Sequence, residues 1–209
     1  MNHTAKFWDR HAERYAKSAI SDEASYQRKL KTTQDYLRPD MEVLELGCGT
    51  GSTAIVHAPF VHHVHATDVS GKMLEIAKGK ADAAGINNIT FEQSTIEALD
   101  VPSGSLDVVL TLSVLHLLED KERAIAKVHE WLKPGGLFIT STPCLGETMV
   151  MKIFKVIGPV GKALGLLPPL KVFTVSALLH SLTSADFLIE HQWQPGKGKA
   201  VFIVAKKPT

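Results

Sequence analysis

The chain has 209 residues, slightly above the usual size of one domain and long enough to bury one sizeable core. Lys and Arg (23) nearly balance Asp and Glu (22), which removes the overall basic footprint of a nucleic-acid binder and leaves small molecules as the expected partners. The two cysteines, Cys48 and Cys144, form neither a disulfide framework nor a metal-ligand spacing. With no apolar signal core and no uncharged apolar run of about 18 residues, they point to a soluble protein of the reducing cytoplasm.

In chain order, Phe7, His11 and Tyr15 recur at helical spacing with charges between them, predicting an amphipathic helix. A second helix is predicted from Ser25 through Leu30 and Tyr36 to Pro39, with Asp22 as its cap. Val43-Leu44-Glu45-Leu46 then runs as a buried strand into Gly47-Cys48-Gly49-Thr50-Gly51, a tight turn opening a helix. The spacing is G-x-G-x-G, with Ser52 where a dinucleotide turn needs its third glycine. Glu45, two residues before the first glycine, would repel a pyrophosphate and attract an ammonium or sulfonium. The turn therefore suits a cationic ligand better than a dinucleotide.

A short helical stretch from Thr53 to Phe60 leads to a strand over Val61–Thr67. Asp68 at its tip lies 19 residues past Gly49, where a carboxylate can accept from both hydroxyls of a ribose or can cap the helix from Ser70 onward. His57, His62, His63 and His65 crowd this region. Adjacent strand residues point to opposite faces and no nearby carboxylate completes a set, so no metal site is expected. A helix over Lys72–Ala84 ends at Gly85, and strands are expected over Ile89–Gln93 and Leu106–Leu112, the latter apolar enough to be buried on both faces. A helix over Asp120–Leu132, a turn at Pro134-Gly135-Gly136 and a strand over Leu137–Thr142 follow. Strands alternating with helices imply right-handed βαβ units and a mostly parallel sheet.

From Gly146 to Lys171 the alternation stops. The stretch is strongly apolar, with four lysines against one Glu, and reads as one or two short inserted helices. It packs on the domain or on a second copy, or it forms a substrate lid. As a lid, with Met149, Ile153, Phe154 and Ile157 at helical spacing, it implies a hydrophobic acceptor, and Lys152, Lys155 and Lys162 would allow transient contact with anionic membrane surfaces. A helix over Ser176–Leu182 and strands over Phe187–Trp193 and Ala200–Lys206 complete the chain as an antiparallel hairpin.

Glu45-Leu46-Gly47-Cys48-Gly49-Thr50-Gly51, with Asp68, Ser94-Thr95-Ile96-Glu97-Ala98-Leu99, Ser113-Val114-Leu115-His116 and Leu132-Lys133-Pro134-Gly135-Gly136 in the same order, resembles the class I S-adenosylmethionine-dependent methyltransferases over residues 40 to 145. That resemblance implies an α/β, doubly wound, seven-stranded Rossmann-like sheet with an antiparallel last strand. The single domain would comprise an N-terminal helical cover (1–38), a cofactor core (39–145), the inserted lid (146–171) and a C-terminal helix and hairpin (172–209). The implied cofactor contacts are Glu45, Gly47, Cys48, Gly49 and Gly51 for the methionine end, Asp68 with Val69 and Met73 for the ribose side, Thr95 and Ile96 for adenine, and the backbone at Leu112. Many relatives have Asp where Thr95 stands.

Tyr15 and Tyr26 either line the pocket or only pack the cover. His116 stands where an acceptor enters, as general base, substrate donor or plain helix-start residue. Asp186 replaces a glycine common in relatives and reads as a changed turn. The expected activity is methyl transfer to a small acceptor by a monomer or homodimer. The rivals are a catalytically silent cofactor-binding partner and, less favoured, a nicotinamide-dependent oxidoreductase.

Overall fold

A computed structural model describes residues 3–144, 146, 170–196 and 198–209. The lid expectation, with Met149, Lys152, Ile153, Phe154, Lys155, Ile157 and Lys162, lies outside the described residues. Among those described, the chain runs α1 (His3–Lys17), α2 (Glu23–Gln34), β1 (Glu42–Leu46), α3 (Ser52–His57), β2 (His63–Asp68), α4 (Gly71–Ala83), β3 (Ile89–Gln93), β4 (Leu106–Leu112), α5 (Lys121–Trp131), β5 (Leu132–Pro143), α6 (Val175–Ser184), β6 (Leu188–Trp193) and β7 (Ala200–Lys206). The seven strands form one sheet in the order β3-β2-β1-β4-β5-β7-β6. β1 pairs parallel with β2 and β4, β2 parallel with β3, and β7 antiparallel with β5 and β6. This is the doubly wound α/β sheet with an antiparallel last strand that the sequence predicts. No described helix is long and apolar enough to cross a membrane.

The chain divides into two compact units. In the first, Met1–Val101 with Ser105–Leu110, the core is the buried run Val43, Leu44, Leu46, Val64, Ala66, Val108 and Leu110, covered by Leu74 and Ala77 of α4. Helix starts follow their caps. The Asp22 side chain accepts from the Ser25 amide, and Ser70 Oγ accepts from the Met73 amide. Ser70, not Asp68, is thus the cap of α4, and α2 stops at Gln34, short of Pro39, in a turn through Asp35 and Tyr36.

In the second unit, Pro102–Gly104 with Thr111–Thr209, the core is Phe138 and Ile139 of β5, Phe202 of β7, Leu178 and Leu182 of α6, and Phe187 just before β6. The ring centroids of Phe138 and Phe187 lie 5.6 Å apart. β5 begins at Leu132, not at the expected Leu137. The Pro-Gly-Gly segment is drawn into the strand because the Gly135 amide donates to Lys207 O at 3.0 Å and the Lys207 amide donates to Gly136 O at 2.9 Å, extending the β5–β7 edge.

Asp186 keeps the turn that a glycine would make. Its φ is 64°, its amide donates to Thr183 O and the Phe187 amide donates to Leu182 O, both at 3.1 Å. This is a Schellman end to α6. Gly85 closes α4 by the same pair of bonds, to Asp82 O and Ala81 O. Because the left-handed conformation costs an L-residue with a side chain about 1 kcal/mol or more, Asp186→Gly is expected to stabilise the protein by about 1 kcal/mol and raise Tm by about 2 to 4 °C. Scanning calorimetry checks this, and an unchanged or lower Tm would show that the Asp186 side chain repays its strain.

Candidate functional site

In the first unit, β1 delivers Glu45 and the glycine turn beside the tip of β2. Gly47, Gly49 and Gly51 all have positive φ, at 68°, 55° and 74°. At Gly51 a Cβ would stand 2.8 Å from the Ala77 Cβ, so only glycine lets α3 start against α4. The Cys48 amide donates to Thr67 O at 2.9 Å, tying the turn to β2. The Cys48 thiol is pushed far up by burial, then by Glu45 and Asp68, and is held inert.

Asp68 organises the turn. Its Oδ2 accepts from the Gly49 amide at 2.9 Å and its Oδ1 from the Ser70 amide at 2.8 Å. Burial raises its pKa and these backbone donors oppose the rise. A carboxylate offers about four acceptor directions, more than the backbone donors fill, so capacity stays open for a ligand's hydroxyl. Val69 follows, its carbonyl held by Gln93 Nε2 at 3.0 Å, and Met73 is buried behind the Ser70 cap. The Ser94 amide donates to Asp68 O at 3.1 Å, which brings the Thr95-Ile96 segment to the same strand tip. There Thr95 Oγ1 accepts from the Ala98 amide at 3.3 Å, stabilising its own turn, and the Ile96 side chain is buried.

Glu45 is 3% exposed and, among the described residues, its Oε2 has no hydrogen-bond partner. Burial first, and Asp68 second, push its pKa to about 8. Tyr15 lies over the turn, its Cε1 3.7 Å from where a Gly49 Cβ would be; the residue is 53% exposed, and local desolvation, with nearby Asp68 and Glu45, raises the pKa of its hydroxyl. Helix α1 is fastened there by Asp9, whose Oδ1 accepts from Ser70 Oγ at 2.7 Å and from the Lys72 amide at 3.1 Å. Asp9 carries no local sequence signal for this role, since its partners lie 61 and 63 residues away. Lys80 donates to Thr50 Oγ1 at 2.9 Å and supports the turn from α4.

In the second unit, Leu112 is half-buried at the end of β4 and Ser113 follows with φ 63°, its amide donating to Ser141 O at 2.7 Å. A serine in the left-handed region is backbone strain of the kind that clusters at functional sites, and residue type does not announce it. His116 sits in a 3-10 turn, half-buried, with Nδ1 unpartnered and its pKa lowered to about 4 by burial. It is neutral at pH 7, and burial makes it a weaker base than a free imidazole.

The histidines at the start of β2 and just before it meet carboxylates that strand order alone brings near. His62 and His63 lie 3.6 Å from the two oxygens of Glu42, and His65 lies 2.9 Å from Glu92. Even so, among the described residues no group of three or more His, Cys, Asp or Glu side chains is arranged to hold a metal.

Paired carboxylates at a three-glycine turn, one clamped by backbone amides and one buried with an oxygen that has no partner among the described residues, fit a nucleoside ligand carrying a positive charge. Over part of its length the chain is similar to methyltransferases. Residues 43–136 match the family described as a methyltransferase domain. The chain is 32% identical over 102 residues to the uncharacterized methyltransferase YcgJ of Bacillus subtilis, covering 49% of this chain and 40% of that protein. It is 32% identical over 137 residues to the ubiquinone/menaquinone biosynthesis C-methyltransferase UbiE of Shewanella frigidimarina, covering 59% and 53%. The chain thus spans about half the length, or less, of these curated relatives.

Among solved structures, YcgJ superposes with a TM-score of 0.72 at 19% identity, over 88% of this chain and 99% of that one. A geranyl diphosphate C-methyltransferase from Streptomyces coelicolor, solved with Mg2+, geranyl diphosphate and S-adenosyl-L-homocysteine, gives 0.70 at 13% identity over 88% and 80%. At these identities the structures speak for the fold.

Proposed function

We propose that the chain is an S-adenosylmethionine-dependent methyltransferase that moves a methyl group to a small, hydrophobic acceptor by in-line displacement, working as one domain over residues 1–209 in the cytoplasm, as a monomer or homodimer. The observation that carries this reading is the unpartnered Glu45 oxygen beside the amide-clamped Asp68 in the glycine turn. The cofactor, when bound, supplies a methyl on a sulfonium that is already an activated leaving group. The chain's part is placement. Asp68 would take the ribose hydroxyls, Glu45 would face the positive charge, Tyr15 would cover the turn, and Thr95 and Ile96 would flank the adenine end. Such alignment can supply roughly 7 to 11 kcal/mol of a barrier, so no catalytic base is strictly required. His116, neutral and half-buried, is the group we assign to hydrogen-bond the acceptor, its lowered pKa making it a weak base.

The hydrophobic acceptor is supported by the apolar composition of residues 146–171 and by relatives named for quinone biosynthesis and for geranyl diphosphate methylation. No nucleic acid partner and no metal are part of the proposal. Contact with an anionic membrane surface through the lysines of that segment would be transient. Incubation with methyl-labelled cofactor and a panel of quinone-like, aromatic, lipid and polar acceptors tests the activity. Label should move to the apolar members far faster than to the polar ones. A polar preferred acceptor would remove the hydrophobic assignment, and tight cofactor binding without transfer to any acceptor would favour the silent partner.

A further inference from the structure

Glu45 poses a problem in charge that the proposed function does not answer. It sits on the central strand β1, next to β2 whose tip carries Asp68, and it is buried with one oxygen unpartnered. The titratable groups around it are Asp68 from β2, Tyr15 from α1, Tyr26 from α2 and Cys48 in the turn, each linked to it by charge. All four are acids. The Tyr26 hydroxyl is engaged with Thr53, and the nearby ammonium of Lys80 is held by the hydroxyls of Thr50 and Ser52. An ionised carboxylate in that setting would be a buried charge with neither a cation nor a full set of donors, and such groups hold a proton instead. Asp68 is the member of the pair with donors for a charge, because two backbone amides point at it.

We propose that Glu45 is a proton-linked charge reader: it is a neutral carboxylic acid in the free protein and ionises only when a positively charged ligand occupies the glycine turn, so that the site selects cationic nucleosides over neutral ones. The inference rests on the reading of this turn as a cofactor site and adds the device by which the site discriminates. The step balances simply. The Glu45 O–H bond breaks, its electron pair stays on the carboxylate facing the ligand's cation, and the proton goes to solvent. A neutral nucleoside offers no charge to offset the ionisation, and Glu45 keeps its proton beside it.

The test is calorimetry on the full chain at pH 6.5, below the ordinary range of an α-amino group near 7.7 to 8.0, so that the ligand keeps its own proton. S-adenosylmethionine is titrated in two buffers of small and large ionisation enthalpy, phosphate and imidazole. The apparent binding enthalpy should shift by nearly the whole difference between the buffers, the signature of close to one proton released per ligand. 5′-Methylthioadenosine, which keeps the nucleoside and the sulfur without the charge, should give no buffer dependence. Glu45→Gln should bind S-adenosylmethionine at least tenfold more weakly and release no proton. Binding by the wild type with equal enthalpies in both buffers overturns the proposal, as does undiminished release from a folded Glu45→Gln protein or equal release with the neutral nucleoside. Absence of any binding heat with folded wild type would instead remove the cofactor reading itself, and the charge reader with it.

Discussion

Asp68→Ala is expected to weaken S-adenosylmethionine binding by one to two orders of magnitude, the largest loss of any single substitution in the turn. Each charge-assisted hydrogen bond to a ribose hydroxyl is worth about 1.5 to 3 kcal/mol, and about 1.4 kcal/mol is tenfold in affinity. The geometry adds a second contribution. Asp68 holds the Gly49 amide at 2.9 Å and the Ser70 amide at 2.8 Å, so its removal also releases the turn it braces. Two controls separate these roles. Asp68→Asn keeps one carbonyl acceptor for the backbone but loses the charge and turns an amide N–H toward one donor. Ser70→Ala removes the α4 cap and the link to Asp9 while leaving the carboxylate in place.

If the ribose contact dominates, Asp68→Asn should bind almost as poorly as Asp68→Ala, whereas Ser70→Ala should lower Tm and spare affinity to within a few-fold. Calorimetric titration with a parallel thermal melt reads both quantities. A folded Asp68→Ala protein of wild-type affinity would remove Asp68 from the cofactor site.

What could be read before the structure follows from where the information is local. β3, β4 and β7 end at the residues expected, because apolar and β-branched residues dominate each between turn formers, with Asp107, Glu92, Gln93 and Lys206 the polar exceptions. β5 was misjudged at its start because Pro134-Gly135-Gly136 has the chemistry of a turn, and only pairing with Lys207, remote in sequence, makes it strand. Glu45 and Asp68 were legible as carboxylates at strand tips. That two amides brace the one while the other has an empty oxygen depends on how β1 lies against β2, which no spacing states. The Asp9 fastening, the left-handed Ser113 and the carboxylates facing the β2 histidines are long-range or conformational facts of the same kind.

His57 belongs with them, and it carries the second large effect. Six residues past the last glycine of the turn it reads as an ordinary helix residue, yet it is 1% exposed with neither ring nitrogen partnered. Burial lowers its pKa to about 4 from 6.5. Between these values the unfolded chain binds a proton that the folded chain refuses, so stability is full above about pH 6.5 and falls as the solution is acidified toward pH 4. At about 1.36 kcal/mol per pH unit the loss amounts to about 3 kcal/mol. Glu45 works in the opposite direction: with its pKa raised to about 8, the folded chain holds a proton that the unfolded chain gives up above pH 4.5. The wild-type profile therefore mixes the two slopes, and the difference between wild type and a His57 variant isolates one of them.

His57→Leu, close in volume and free of polar atoms, is expected to be at least as stable as wild type at pH 7, because two buried nitrogens without partners cost more than they return. Its advantage should then widen by about 2 to 3 kcal/mol as the pH is lowered from 7 to 4.5, while cofactor affinity at pH 7 stays unchanged. Urea unfolding of both proteins at several pH values gives this difference directly. A gap that stays constant with pH would mean that the buried ring takes up its proton in the folded protein as readily as in the unfolded chain.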